Sequence, residues 1–342
     1  MYEKFTVGPT GYFDLLIKPT FADIYGDDPG IGTLGTWTLM DGVSSKRKIV
    51  ELKGRQNILK RRDASCNIEF SNVAKANIRS IETDEIYAGT KVCDNEFYQG
   101  CLKDFRNKDP KFRSFIMKYF LDAIAIDIRS NAYFGDITRL NDPDADWSWN
   151  VFDGIFKHYS GYINDGTIKA SQTAAFDSGE ITPVEAKEYL DWAYKNQDDY
   201  LDFRVDEDKA FYVSKGIFTG YEDFLIATGA AYNINLYQNG LKTLKYKNIE
   251  VILETTWSPI MKALNGGVEA HACILTLKKN FTFATDTNYG EDTDEGVKPL
   301  LVWYSKDELT WKYANFLKAG TGIAYPEHSV IGMTNIGFNL NT

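Results

Sequence analysis

Apolar residues recur at Phe112, Phe115, Ile116, Tyr119, Phe120, Ala123 and Ile124, three or four apart, and that spacing lays them along one face of a helix. Asp109-Pro110 supplies an N-cap followed by proline at the first helical position, where the missing N–H costs nothing. Carried to Tyr133, the helix is roughly 35 Å long at about 1.5 Å per residue, unusually long for a globular domain. Beyond Gly135-Asp136 and a loop over Asn141–Trp147, the apolar positions Val151, Ile155 and Phe156 predict a short amphipathic helix within Trp149–Tyr159. Thr182-Pro183-Val184-Glu185 is a capping box that opens another helix through Tyr194, whose end meets an acidic stretch.

Elsewhere the period is two. Met40-Asp41-Gly42-Val43 reads as a turn and Lys46–Leu52 as the strand after it, while Ser65–Phe70 alternates with Ile68 and Phe70 on one face. From Lys209 onward short β-rich segments alternate with turns: Ala210–Val213, Leu244–Tyr246, Ile249–Leu253, Cys273–Leu277, Phe281–Ala284 and Leu300–Trp303. The first forty residues mix Gly, Pro and Asp with isolated aromatics and hold no helical period, the pattern of an extended arm. The predicted fold class is α+β, with mostly antiparallel strands and no βαβ rhythm.

Composition bounds this picture without reaching function. The 342 residues suffice for one large domain or two modest ones. Aromatics make up 14%, a rich supply for cores and interfaces alike. No run of about eighteen apolar residues exists, and the opening Met-Tyr-Glu-Lys-Phe lacks an export pattern, so the expectation is a protein made and used in a cytosol, off the membrane. A formal charge of −10 argues against a protein whose main task is gripping nucleic acid. Cys66, Cys93, Cys101 and Cys273 are irregularly spaced, and reduced thiols are expected.

Several patterns imitate enzyme sites. Gly30-Ile-Gly32-Thr-Leu-Gly35 matches a dinucleotide fingerprint in letters, but it follows a Gly/Asp/Pro loop and leads into the strand-like Thr36–Leu39 rather than a helix. Asp142, Asp144 and Asp146, with Asp153 in the twelfth position, imitate a calcium loop, yet Trp147 stands where the sharp turn needs glycine. None of His158, His271 and His328 sits in a metal-binding pair, and His271 with Cys273 two residues on reads as a packed strand pair. No phosphate-binding Walker loop and no Gly-x-Ser-x-Gly elbow occurs. No cofactor, metal or catalytic residue is therefore expected. A carboxylate-dependent hydrolase stays open as an alternative, as does a phage tail or baseplate component that assembles into tubes or rings.

The segments Ile128–Asp136 (Ile-Arg-Ser-Asn-Ala-Tyr-Phe-Gly-Asp) and Phe152-Asp-Gly-Ile-Phe156 are similar to the end of the spine helix and the next helix of Hong Kong-97-type capsid proteins of tailed phages. Lys209-Ala-Phe-Tyr-Val-Ser-Lys215 with Tyr221, Leu244–Val251 before the loop Thr256-Trp-Ser-Pro259, and Ala272–Asp286 resemble that family's later strands in the family's order. Asn248 and Ala284 stand where the family often has glycine. The resemblance implies an HK-97-like fold: an amino-terminal arm (1–35), an E-loop hairpin (36–93), a peripheral domain with a spine helix (94–160), an axial domain (161–273) and carboxy-terminal strands returning to the peripheral domain (274–342). It implies a major capsid protein that forms pentamers and hexamers of an icosahedral head around phage double-stranded DNA, with a portal as partner and either separate scaffold or decoration proteins or none. Its place would be the virion, after assembly in the host bacterial cytoplasm.

One stretch stands apart in this acidic chain. Between Ser44 and Arg62, Lys46, Arg47, Lys48, Lys53, Arg55, Lys60, Arg61 and Arg62 meet only Glu51 as an opposing charge within the run. Contact with the packaged genome and a solvated hairpin face are two readings. The favoured one is docking on an acidic surface of the next subunit, for which Asp198–Asp208 and Glu291–Glu295 offer the charge.

Overall fold

The computed structural model describes residues 37–40, 42–54, 74–93, 120, 123–124, 126–139, 149–229, 244–286, 301–305, 308 and 310–335. The Gly30–Gly35 loop, the Ser65–Phe70 segment, the aspartates at 142, 144 and 146, and the opening of the long helix lie outside the described residues.

Gly42, at a left-handed φ of 64°, turns the chain between β1 (Thr38–Met40) and β2 (Lys46–Gly54). β2 pairs antiparallel with β3 (Ala74–Glu82), from Lys46 opposite Glu82 to Gly54 opposite Ala74, and β4 (Asp84–Cys93) follows after the single residue Thr83. Helical backbone at 120, 123–124 and 126–134, here α1, carries Phe120, Ile124, Ile128 and Ala132 into the core, as their spacing predicts. α2 (Ile155–Asn164) begins six residues later than the sequence pattern suggests, because residues 149–154 hold Trp149 and Phe152 against the core in non-helical backbone.

β5 (Thr173–Phe176) leads to α3 (Pro183–Lys195), whose Thr182 side chain accepts from Glu185 N while the Glu185 carboxylate accepts from Thr182 N. Thr182→Ala is expected to cost about 0.5–2 kcal/mol by removing half of this reciprocal cap, measurable as a fall in denaturation midpoint. α4 (Asp199–Phe203), β6 (Lys209–Val213) and α5 (Lys215–Ala227) follow. Lys247 and Asn248, with φ of 47° and 68°, form the two-residue turn joining β7 (Leu244–Tyr246) to β8 (Ile249–Leu253). Asn tolerates that conformation better than most residues with a side chain, so the turn survives without the expected glycine.

Thr256-Trp-Ser-Pro259, expected as a loop, enters α6 (Trp257–Leu264). Pro259 fits because the first helical turn has no partner for its N–H groups. The remaining strands are β9 (Ala272–Leu277), β10 (Phe281–Thr285), β11 (Leu301–Ser305), β12 (Thr310–Ile323) and β13 (Ser329–Thr334).

Two larger sheets result. A six-stranded sheet runs β5-β13-β9-β6-β8-β7, and a five-stranded one runs β1-β10-β12-β11 with β4 on β12. Most pairings are antiparallel, but β1–β10, β5–β13 and β6–β8 lie parallel, and α5 stands in the β6–β8 connection, a βαβ crossover that the alternating pattern did not reveal. The boundary expected at residue 273 falls inside β9, and β13 joins the six-stranded sheet. β4 also leaves the hairpin for the five-stranded sheet, so among the described residues the two-stranded excursion is β2–β3 alone.

At β9–β10 and again at β12–β13 the chain passes directly from one sheet to the other, and Asn280 ties these two passages together. Its buried amide donates to Thr276 Oγ1 at 2.6 Å and to Tyr325 O at 3.0 Å, and accepts from Tyr325 N at 2.6 Å. The main core lies between the layers, where Tyr133, Phe156 and Trp257 meet edge to face or tilted with centroids 5.1–6.4 Å apart. A second core, around Leu190, Phe211, Ile217 and Leu275, packs α3 and α5 on the six-stranded sheet.

Candidate assembly surfaces

The β2–β3 hairpin is anchored at its root. Val43, Ile81 and Ala284 make a small core there, Val43 N donates to Thr285 O at 2.8 Å, and Thr83 N donates to Ser45 O at 2.9 Å. Arg79 reaches across to Ala324 O at 2.8 Å and to the Glu327 carboxylate at 2.7 Å, with both side chains largely buried. The root lies so close to β12 that a Cβ on Gly320 would stand 2.0 Å from Glu82 O, and one on Gly322 would stand 2.7 Å from Ile81 Cγ1. The first contact is with backbone, which cannot rotate away. Gly320→Val is therefore expected to lift the hairpin root and cost about 1–3 kcal/mol, read as a lower thermal midpoint together with faster protease cleavage within 46–82.

Register divides the basic run between two faces. Lys46 and Lys48 lie on one face of β2 with their cross-strand partners Glu82 and Ser80, whereas Arg47 and Ile49 share the other with Ile81 and Arg79, the face turned to the subunit. Lys46 forms an exposed ion pair with Glu82, so the run has a second opposing charge that the linear sequence concealed thirty-six residues away. Lys53 lies on β2, and Arg55, Lys60, Arg61 and Arg62 lie outside the described residues. Ile78 of β3 continues the Lys46–Lys48 face and is 60% exposed.

The acidic stretch Asp198–Asp208 is a built feature. Asp198 caps α4 by accepting from Leu201 N at 3.1 Å, and it meets His328 Nδ1 at 2.7 Å. Burial alone would raise the Asp198 carboxyl, but the hydrogen bonds and charge of His328 and the Leu201 and Tyr200 backbone hold it below the usual carboxylate range. His328 in turn stacks on Tyr200, with centroids 4.1 Å apart. Asp206 pairs with the buried Lys209 at 3.1 Å, and Arg204 folds back over the Tyr200 ring at 4.8 Å. Asp199, Asp202, Glu207 and Asp208 are exposed, and among them stand Phe203 at 92% and Val205 at 66% exposure. Periodicity missed these two apolar residues, since nothing in the local pattern distinguishes an outward Phe from a core one. The other acidic stretch, 291–295, lies outside the described residues.

His271 precedes β9 and its Nε2–H donates to Gly179 O at 2.6 Å, while Cys273 is fully buried within β9 and its thiol is pushed up by that burial. The Asp153 carboxylate accepts from Ile137 N at 3.0 Å. Among the described residues no group of three metal-ligating side chains occurs, and no helix is long and apolar enough to cross a membrane.

The whole arrangement is similar to phage shells of known structure. A chain of the satellite phage P4 procapsid, which includes the size determination protein, superposes with a TM-score of 0.56 at 11% identity over 96% of this chain and 92% of that one. A chain of the capsid of Myoviridae phage XM1 matches at 0.50 and 11% identity over 88% and 90%, and one from Gordonia phage Cozz at 0.50 and 10% identity over 88% and 85%. No protein-family model and no curated protein sequence matches the chain. The fold is thus the HK-97-like capsid fold, carried by a sequence far from these neighbours.

Proposed function

We propose that this chain is the major capsid protein of a tailed bacteriophage, a structural protein whose copies gather into pentamers and hexamers and close into an icosahedral head around double-stranded DNA. The observation that carries the reading is the likeness to phage capsid chains over nearly the whole length. A two-stranded hairpin anchored at its root by Val43, Ile81 and Arg79 adds to it, because on this reading such an arm reaches a neighbouring copy. On this reading the five-stranded sheet and α1 belong to the peripheral domain, the six-stranded sheet to the axial domain, and the hairpin is the E-loop. The work lies in modest contacts repeated over a closed symmetric shell, so no catalytic role is assigned. The partners are copies of the same chain, a portal, scaffold or decoration proteins, and DNA held without sequence preference on the inner face. The site of action is the virion, assembled in the host bacterial cytoplasm.

The direct test is negative-stain microscopy and sedimentation of the purified chain, alone and with co-expressed phage proteins. Closed shells or capsomers are expected. A species that stays monomeric under all assembly conditions, or that forms only helical tubes, sinks the reading and favours a tail component. Within it, Lys46→Glu, Arg47→Glu and Lys48→Glu together are expected to leave the subunit folded and to slow shell formation, and added salt is expected to slow the parent in the same sense. Shells that form at the parental rate but package DNA poorly would move the basic run to the genome.

A further inference from the structure

The hairpin and the acidic stretch are opposites in layout as well as in charge. On the hairpin face turned away from its own subunit, the exposed apolar Ile78 lies in line with Lys48 and Lys46. On the acidic stretch, exposed Phe203 and Val205 are flanked by Asp199, Asp202, Glu207 and Asp208. The hairpin face carries Lys48 and the Lys46–Glu82 ion pair, a net positive charge, and the acidic stretch carries a net negative one. Those four carboxylates make no ion pair among the described residues; of the cations next to them in the chain, Lys209 pairs with Asp206, and Arg204 folds over Tyr200 with the charge of Asp208 near enough to favour its charged form.

Among the described residues no ion pair joins Lys46 or Lys48 to the acidic stretch of the same chain. The hairpin meets its own subunit through its other face, where Ile81 enters the root core and Arg79 bonds Ala324 O and Glu327. Glu327 adjoins His328, the residue that holds Asp198 at the head of the acidic stretch, so the same turn fixes the hairpin root and the acidic segment.

We propose that the segment 198–208 is the receptor for the basic hairpin of a second copy of this chain, with Phe203 and Val205 as the apolar anchors against Ile78 and the surrounding carboxylates facing Lys46 and Lys48. The proposal rests on the shell reading for its setting, and names the partner surface within it. Buried apolar anchors ringed by complementary charge give a contact whose strength comes from the centre and whose partner choice comes from the rim. A nucleic-acid occupant is disfavoured by the sign of the rim.

The test is a charge swap in the full-length chain, followed by light scattering at low salt and microscopy of the products. Asp199→Lys with Asp202→Lys and Glu207→Lys, and separately Lys46→Glu with Lys48→Glu, are each expected to slow assembly about tenfold or more. Combining both sets is expected to restore at least half the parental rate. Phe203→Ser, at a surface position where folding tolerates polarity, is expected to slow assembly at every salt concentration, whereas the charge variants converge with the parent at high salt. If each single-sided set assembles at the parental rate, or the combined variant is no faster than the slower of the two, the receptor assignment is wrong. If the parent builds tubes instead of shells, the shell reading falls while the swap, scored on the tubes, still decides the docking. A circular-dichroism melt of each variant separates slow assembly from lost folding.

Discussion

Replacing Asn280 with Leu is expected to destabilise the subunit by about 2–4 kcal/mol, because the four hydrogen bonds of its buried side chain, to Thr276, Ser329 and Tyr325, vanish. Asn280 sits where the chain leaves the six-stranded sheet at Leu277 and enters the five-stranded one at Phe281, after the left-handed Lys279. Its amide holds Thr276 on one passage and both the N–H and the C=O of Tyr325 on the other. Leu fills the volume but offers the Tyr325 N–H nothing. Asn280→Asp keeps an acceptor for that N–H and loses the three donated bonds, so it is expected to fall between parent and Leu variant. Urea unfolding followed by far-ultraviolet circular dichroism gives the comparison. A loss under about 1 kcal/mol for the Leu variant means the two crossovers are held by strand packing rather than by Asn280.

Glu254→Ala is expected to cost about 3–5 kcal/mol, the usual penalty for stranding one half of a buried ion pair. Glu254 is fully buried just past the end of β8, accepts from the Tyr133 hydroxyl at 2.8 Å, and lies 3.5 Å from the Arg129 guanidinium. It therefore joins the end of α1 to the end of β8, where the chain leads into α6. Burial, with the Glu254 charge beside it, pushes the Tyr133 phenol up, so that hydroxyl remains a donor at all physiological pH. The converse substitution separates charge from packing: Arg129→Met with Glu254→Leu removes both charges and is expected to recover most of the stability. A double-mutant cycle measured by denaturant unfolding checks this, and a doubly substituted chain no more stable than Glu254→Ala overturns it.

Residues that act over a few positions were legible before any fold was known. The capping box at Thr182 and Glu185, the strand limits of β7 and β8, and the apolar spacing of Phe120, Ile124 and Ile128 follow from contacts between neighbours in sequence. Pairing was not, because a strand's alternation states which face is apolar and is silent on which strand lies beside it. That is why β13 falls in the six-stranded sheet, why β6 and β8 run parallel, and why β4 leaves the hairpin.

The basic run shows the same division on a surface. The sequence by itself determined the sign and number of charges between Lys46 and Arg62, the acidic stretch that complements them, and the segments whose family-like order suggested a capsid fold. Only the tertiary structure decided that Lys46 meets Glu82, that Arg47 shares its face with Ile49, and that Phe203 and Val205 face solvent amid the carboxylates. Charge and propensity belong to single residues and survive in the unfolded chain. Register, facing and exposure are properties of pairs brought together across dozens or hundreds of residues, and they come into being only when the chain closes on itself.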